Sequence, residues 1–340
     1  MKRETVMTGR ILVPLAALLL MSGLAGCGGD SAPDLDRGEA FRVLVFSRTE
    51  TFRHASIETG VDTVRQLGLM HGFAVDHTED PVEFTPENLA RYAAVLWLST
   101  TGNVLGDEQK AAFERYIRGG GGYVGVHSAS DTEFDWPFYG ELVGAYFHSH
   151  PVLPFNDPEG PGVQSGELHL EAPDHPATAH LPVPWTVRDE FYSFRSNPRG
   201  QVRVLLNIDE ATYEQDPNTT NITLLSALFA SFSNGFQSFP DPALLLDENL
   251  LIGETGVMND HPMSWCHDRL GGRAWYTALG HSISIYSDPD FRQHLLGGIL
   301  TAARRIPADC IPREDGPFSE PNTGPALPPF LSPLAPLLGG

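Results

Sequence analysis

Between residues 42 and 126 short β-rich runs alternate with segments of helical spacing, and this alternation constrains the fold more than any other feature of the chain. Residues 42–47, 73–77, 93–99 and 123–126 read as strands; 56–71, 86–91 and 107–118 read as helices. In 56–71 the apolar residues Ile57, Val61, Val64 and Leu67 share one helical face, while Gly68 weakens the last turn. Residues 93–99 form a nearly continuous apolar run, the pattern of a strand covered on both faces. Four glycines, 119–122, end the third helix; no Lys-Ser/Thr follows them as a phosphate cradle would require. This order of elements implies a doubly wound α/β fold with a mostly parallel sheet. The second half is less regular. Residues 185–188, 202–208 and 274–279 read as strands, and 288–304 as a closing helix entered through Asp288-Pro289.

The ends differ in character from this middle. Lys2, Arg3 and Arg10 precede an apolar run over 11–25 that closes in Leu24-Ala25-Gly26-Cys27. A basic start, a short apolar core and small residues at the cleavage point make 1–26 a secretory signal, too short for a good membrane-spanning helix. The four-residue ending resembles a bacterial lipobox, which implies a lipid on Cys27; ordinary secretion with a free Cys27 is the other reading. Gly28 after the Cys points to the outer membrane if the cell has one. The expected product is extracytoplasmic and lipid-anchored, periplasm-facing in a Gram-negative cell. Residues 27–40 are a tether, 41–306 the α/β domain, and 307–340 a Pro-rich tail expected to be disordered. Residues 215–258 look like an insertion, whose apolar stretch 224–232 either packs on the core as a subdomain, covers the site or contacts a partner. Removing 1–26 takes away Lys2, Arg3, Arg10 and Glu4 and moves the formal charge from −21 to −23. Such a surface repels phosphates and argues against a nucleic-acid partner. Cys266 and Cys310 either pair, as an oxidising compartment permits, or stay as two thiols.

The run from Gly119 to Ser130 reads as a glycine turn, a short buried strand and an abrupt exit into small residues, with His127 at the exit. In doubly wound folds ligands bind beyond the carboxyl ends of the strands, so His127 faces the crevice. His54 follows the first strand by a short loop and belongs on the same rim. His281 ends the strand at 274–279. His150 follows a helix and could close over the rim, and Glu190 offers a carboxylate. His54, His127, His150 and His281 are the expected ligands of one divalent transition metal, zinc or manganese. Without metal, His127 and Glu190 would work as an acid–base pair. His71, His77, His169, His180 and His294 read as structural, and His175, before Pro176, as a turn residue that could also line the cleft.

Several motifs together resemble the ThuA-like family, named for trehalose utilisation. They are Val45 to Ile57 (with Phe52-Arg53-His54), Gly125 to Asp131, Trp136-Pro137-Phe138-Tyr139, Leu142 to Phe147 and Asp174 to Thr178. Asp189-Glu190-Phe191-Tyr192, His261 to Trp265 and Gly272 to His281 complete the set. The resemblance implies a class I glutamine amidotransferase-like, flavodoxin-like fold and a role in sugar metabolism. True amidotransferases carry Cys at the strand end where this chain has His127, so glutamine hydrolysis through a thioester is not expected. The substrate class is a small carbohydrate. Trp136, Tyr139, Trp265 and Tyr276 either stack on sugar rings or pack in the core; Arg53 either binds a substrate oxygen or forms a salt bridge. The expected activity is hydrolysis, elimination or isomerisation of a keto-sugar or glycoside. The alternatives are a non-catalytic sugar-binding lipoprotein and a partner-binding one. The oligomeric state is left open.

Overall fold

The computed structural model describes residues 41–151, 154, 156–214 and 258–316. The expected signal and Cys27, the tether to residue 40, insertion residues 215–257 and the tail beyond 316 lie outside them. The first half follows the expected alternation. Strands β1 (Arg42–Phe46), β2 (Ala74–Thr78), β3 (Ala94–Leu98) and β4 (Gly122–Val126) are interleaved with helices α1 (Ile57–His71), α2 (Pro86–Leu89) and α3 (Asp107–Arg118). All four apolar residues expected on the inner face of α1 are buried. Gly68 does not end that helix. A Cβ there would lie 2.6 Å from the Phe73 carbonyl, so the glycine lets α1 pack close to the chain entering β2.

The second half supplies α4 (Pro137–Val143), β5 (Phe147–Ser149), β6 (Gln164–Leu170), β7 (Trp185–Asp189), β8 (Ser193–Phe194) and β9 (Arg203–Ile208). β10 (Pro262–His267), β11 (Ala274–Thr277) and α5 (Pro289–Ala302) follow. The nine-stranded sheet runs β2-β1-β3-β4-β11-β10-β9-β6-β7. Its first five strands are parallel, in the flavodoxin order, and its last four are antiparallel. β6 and β10 were not legible as strands. β6 alternates in burial as a half-exposed strand does, but its polar composition hides the apolar periodicity.

Both faces of the parallel half are covered. Trp97 of β3 packs on Phe113 of α3, and its neighbour Leu98, on the opposite face, meets α1 at Gly60. β3 is therefore wholly buried, as its apolar run predicts. The antiparallel half curls. Four strand spacings separate β11 from β7, which would be roughly 19 Å in a flat sheet. Yet the Asp189 carboxylate at the end of β7 accepts a hydrogen bond from the Gly280 amide just beyond β11, at 2.6 Å. Register shifts between β9 and β10 mark where the sheet bends. The curl brings the carboxyl end of β7 over those of β4 and β11. No helix among the described residues is long and apolar enough to cross a membrane.

Candidate metal and catalytic site

β4 delivers His127 into a short 3-10 turn, His127–Ser130, with φ of +53°. A left-handed conformation outside glycine costs of order 1–3 kcal/mol and persists only where its surroundings hold it. Here two buried tyrosines do so. Tyr276 donates to the His127 carbonyl at 2.8 Å, and Tyr139 donates to the Ala129 carbonyl at 2.7 Å. The imidazole is fully buried. Its Nδ1 lies 2.7 Å from the Ala278 carbonyl, which only accepts, so Nδ1 carries the hydrogen and the Nε2 lone pair points inward.

Three further groups meet that lone pair. His54, from the loop after β1, brings its Nε2 to 3.2 Å from His127 Nε2, while its Nδ1 is 3.3 Å from Ser128 Oγ. His281, beyond β11, donates from Nε2 to the Glu159 carbonyl at 3.1 Å and turns Nδ1 inward. Glu190, following β7, sets Oε2 3.1 Å from His281 Nδ1 and 3.4 Å from His127 Nε2. Asp189 fixes the loop of His281 by accepting from the amides of Gly280, His281 and Ser282. Gly160 lies against the His281 ring. A Cβ there would sit 2.8 Å from Nε2, at a φ of +132° that suits only glycine.

Burial and proximity set the charges. Burial, with the charges of His127 and His281, pushes the His54 imidazole well below its usual range and keeps it neutral. Burial alone would lower His281 too, but Glu190 prevails and raises it to about 9. Burial would raise Glu190, but His150 and His281 hold it well below the ordinary carboxylate range. The site thus holds one carboxylate charge, matched at neutral pH by a protonated His281, beside the neutral His54. Two inward imidazole nitrogens 3.2 Å apart must share a proton or a cation.

The ligand atoms of His54, His127, Glu190 and His281 all lie within 4.8 Å of one another. Zinc bonds of about 2.0–2.1 Å place tetrahedral ligand atoms about 3.3–3.4 Å apart. Contacts of 3.2, 3.4 and 3.1 Å among these four groups are close to that spacing. Each imidazole also has an outer partner of the kind that orients metal-binding histidines: a carbonyl for His127 and His281, a hydroxyl for His54.

His54, His127 and His281 therefore converge, and Glu190 joins them as a fourth inward donor. His150 stands outside this group: its Nδ1 contacts the other oxygen of Glu190 at 3.1 Å and the Pro151 carbonyl at 2.7 Å. The aromatic expectation needs correction. Trp136, Tyr139, Trp265 and Tyr276 are all buried and cannot offer a face to a sugar. They form the packing beneath the site, with Trp265 stacked on Tyr276 at 4.5 Å. Arg53 is held by Glu58 at 2.7 Å and Glu79 at 2.9 Å, the salt-bridge alternative. His175 accepts the Ala177 amide at Nδ1, as a turn residue. Cys266 and Cys310 form a disulfide with Cα atoms 5.2 Å apart. Tyr192, whose ring lies 4.1 Å from that of His127, and Glu159 escaped sequence reasoning. Tyr192 stood in a quoted motif as a bare aromatic, and nothing local marks Glu159.

The family described as "Trehalose utilisation", ThuA, matches residues 42–302, which contain every member of this site. A ThuA-like protein from Bacteroides uniformis superposes with a TM-score of 0.54 at 20% identity, over 82% of this chain and 95% of that one. Another from Parabacteroides merdae gives 0.53 at 18% identity, over 82% and 96%. At such identities the likeness carries the fold alone. No curated protein matches the chain. With three quarters of its length inside the family match, the chain belongs to the ThuA family.

Proposed function

We propose that this protein acts on a keto-sugar or glycoside at a divalent transition-metal site, zinc or manganese, held by His54, His127, His281 and Glu190. The carrying observation is the inward convergence of three imidazoles and one carboxylate, with the outer nitrogen of each imidazole already satisfied. The family's link to trehalose utilisation supports a carbohydrate substrate. A bound metal would polarise a carbonyl oxygen or lower the pKa of water. The protein's own groups do the rest. Neutral His54 sits against the inward-turned Nε2 of His127, and Asp189 fixes the loop that aims His281. His150, partly exposed and paired with the outer oxygen of Glu190, lies outside the ligand set and passes protons to and from solvent. Hydrolysis, elimination and isomerisation all draw on this arrangement.

The Cys266–Cys310 disulfide supports an oxidising, extracytoplasmic location, and Leu24-Ala25-Gly26-Cys27 supports anchoring by a lipid. The test is metal content by mass spectrometry on protein starting at residue 28, purified without chelator or His tag. About one equivalent of metal is expected, lost in His127→Ala and Glu190→Gln, followed by turnover in a keto-glycoside screen. Wild-type protein that binds no zinc or manganese on addition would end the metal reading.

A further inference from the structure

The four aromatics expected to meet a sugar lie in the core, so another group must offer an apolar face if the substrate is a sugar ring. Among the described residues, the most exposed large apolar side chain beside the histidine cluster is Phe52, with 58% of its surface open. Its ring stands edge-to-face against His54, centroids 4.7 Å apart and planes at 81°. His54 in turn contacts the rings of His127 and His281 at 4.7 and 5.2 Å. The chain around Phe52 is tied down: Thr101 Oγ1 donates to the Phe52 carbonyl at 2.8 Å, and the Glu50 amide donates to the Thr101 carbonyl at 2.9 Å. A phenyl ring on a fixed backbone, open to solvent and in contact with a histidine of the cluster, is placed to meet a ligand that approaches the site. Its neighbour Arg53 turns away to Glu58 and Glu79, leaving the phenyl without a competing cation from that side chain. Ile283, 46% exposed and two residues beyond His281, adds a second apolar side chain from the other histidine-bearing loop.

We infer that Phe52 is the stacking platform of the substrate subsite and selects a pyranose that presents a C–H face. This rests on the carbohydrate reading of the site above. A pyranose has polar hydroxyl edges and, in its all-equatorial forms, a face of axial C–H bonds. That face suits the negatively polarised face of a phenyl ring. Stacked on Phe52, the sugar keeps its hydroxyl edge turned towards the imidazoles and Glu190. Phe52 thus sets which ring is accepted, while the histidine cluster sets what is done to it. Such a contact does not call for Arg53, Trp136 or Tyr139.

The test uses metal-loaded protein and a panel of pyranosides: trehalose, methyl β-glucoside, cellobiose and their 3-keto derivatives. Saturation-transfer NMR and calorimetry are run on wild type, Phe52→Ala and Phe52→Trp. The expected result is transfer centred on the axial C–H protons of one ring, affinity about tenfold weaker in Phe52→Ala, and affinity kept or improved in Phe52→Trp. Metal stoichiometry should be equal in all three proteins, which excludes damage to the cluster. Wild type and Phe52→Ala binding a sugar equally well would overturn the platform and leave the carbohydrate reading standing. Wild type that binds metal but no member of the panel would overturn the carbohydrate reading, and the platform with it.

Discussion

At the scale of single residues, the proposed site depends on which way a nitrogen faces. His127 stands out in the sequence as a candidate because it ends a buried strand. That its Nε2, and not its Nδ1, serves the site depends on the Ala278 carbonyl, 151 residues away. Asp131, just past the same turn, carries a consequence that can be measured. Burial pushes its carboxyl up to about 7; Arg195 pulls the other way, and the negative charge of Glu190 adds to the rise. An acid whose folded pKa exceeds its ordinary value of 3.8 stabilises the fold while protonated. That contribution is whole below about 4, is lost as pH rises towards 7, and loses nothing more above that. Asp131→Asn cannot ionise, so its stability relative to wild type should rise across pH 4–7 and then level off. Urea unfolding of both proteins at each pH measures the gap. A gap constant with pH would mean that Asp131 ionises in the native state as it does in the unfolded one.

At the scale of elements, the loop after β11 is where sheet geometry becomes site geometry. The Gly280, His281 and Ser282 amides point one way, and the buried Asp189 carboxylate accepts from all three. Reading 185–188 as a strand was correct, and the Glu190 carboxylate just beyond it lies against His127 and His281. The division of labour between Asp189 and Glu190 was not legible, because the pairing needs the curl that carries β7 back to β11. Asp189 binds the loop; Glu190 faces the histidines. Removing Asp189 strands three donors where water has little access, at roughly 1–3 kcal/mol for each donor left unpaired. Asp189→Ala should therefore lose at least about 3 kcal/mol of stability, and zinc affinity should fall 10- to 100-fold as His281 loses its bearing. Asp189→Asn keeps an acceptor oxygen and should recover part of both. Denaturant unfolding and a chelator-competition titration read the two quantities separately. Loss of stability with zinc affinity intact would mean that His281 is aimed by Glu159 and Gly160 alone.

At the scale of the whole molecule, the parallel half was legible, and of the antiparallel half only β7 and β9 were. In the inner strands of the parallel half, β1, β3 and β4, both faces are covered, so composition alone marks them. In the antiparallel half β6 is partly exposed and β10 holds Ser264 and His267 among its buried residues, so pattern and burial part company. The first ten residues of the expected tail are ordered against the curled half. Residues 307–316 run back along the sheet: the Arg313 amide donates to the Val202 carbonyl at 3.2 Å, and the Gly200 amide to the Arg313 carbonyl at 3.0 Å. The Cys266–Cys310 bond fastens this return to β10, closing a loop of 44 residues that contains β11, the His281 loop and α5. A cross-link of that length removes unfolded-state entropy equivalent to about 4 kcal/mol in the chain-entropy account. Replacing both cysteines by alanine leaves two small apolar side chains in buried positions and adds only a modest packing loss. The double variant should thus lose about 4 kcal/mol in urea unfolding, and a strong reductant should bring wild type to nearly the same curve. The histidine cluster does not touch the disulfide, so metal binding at the proposed site should survive in the folded variant. A loss below about 1 kcal/mol would mean that α5 and the backbone bonds at Val202 and Gly200 already close this loop without the bond.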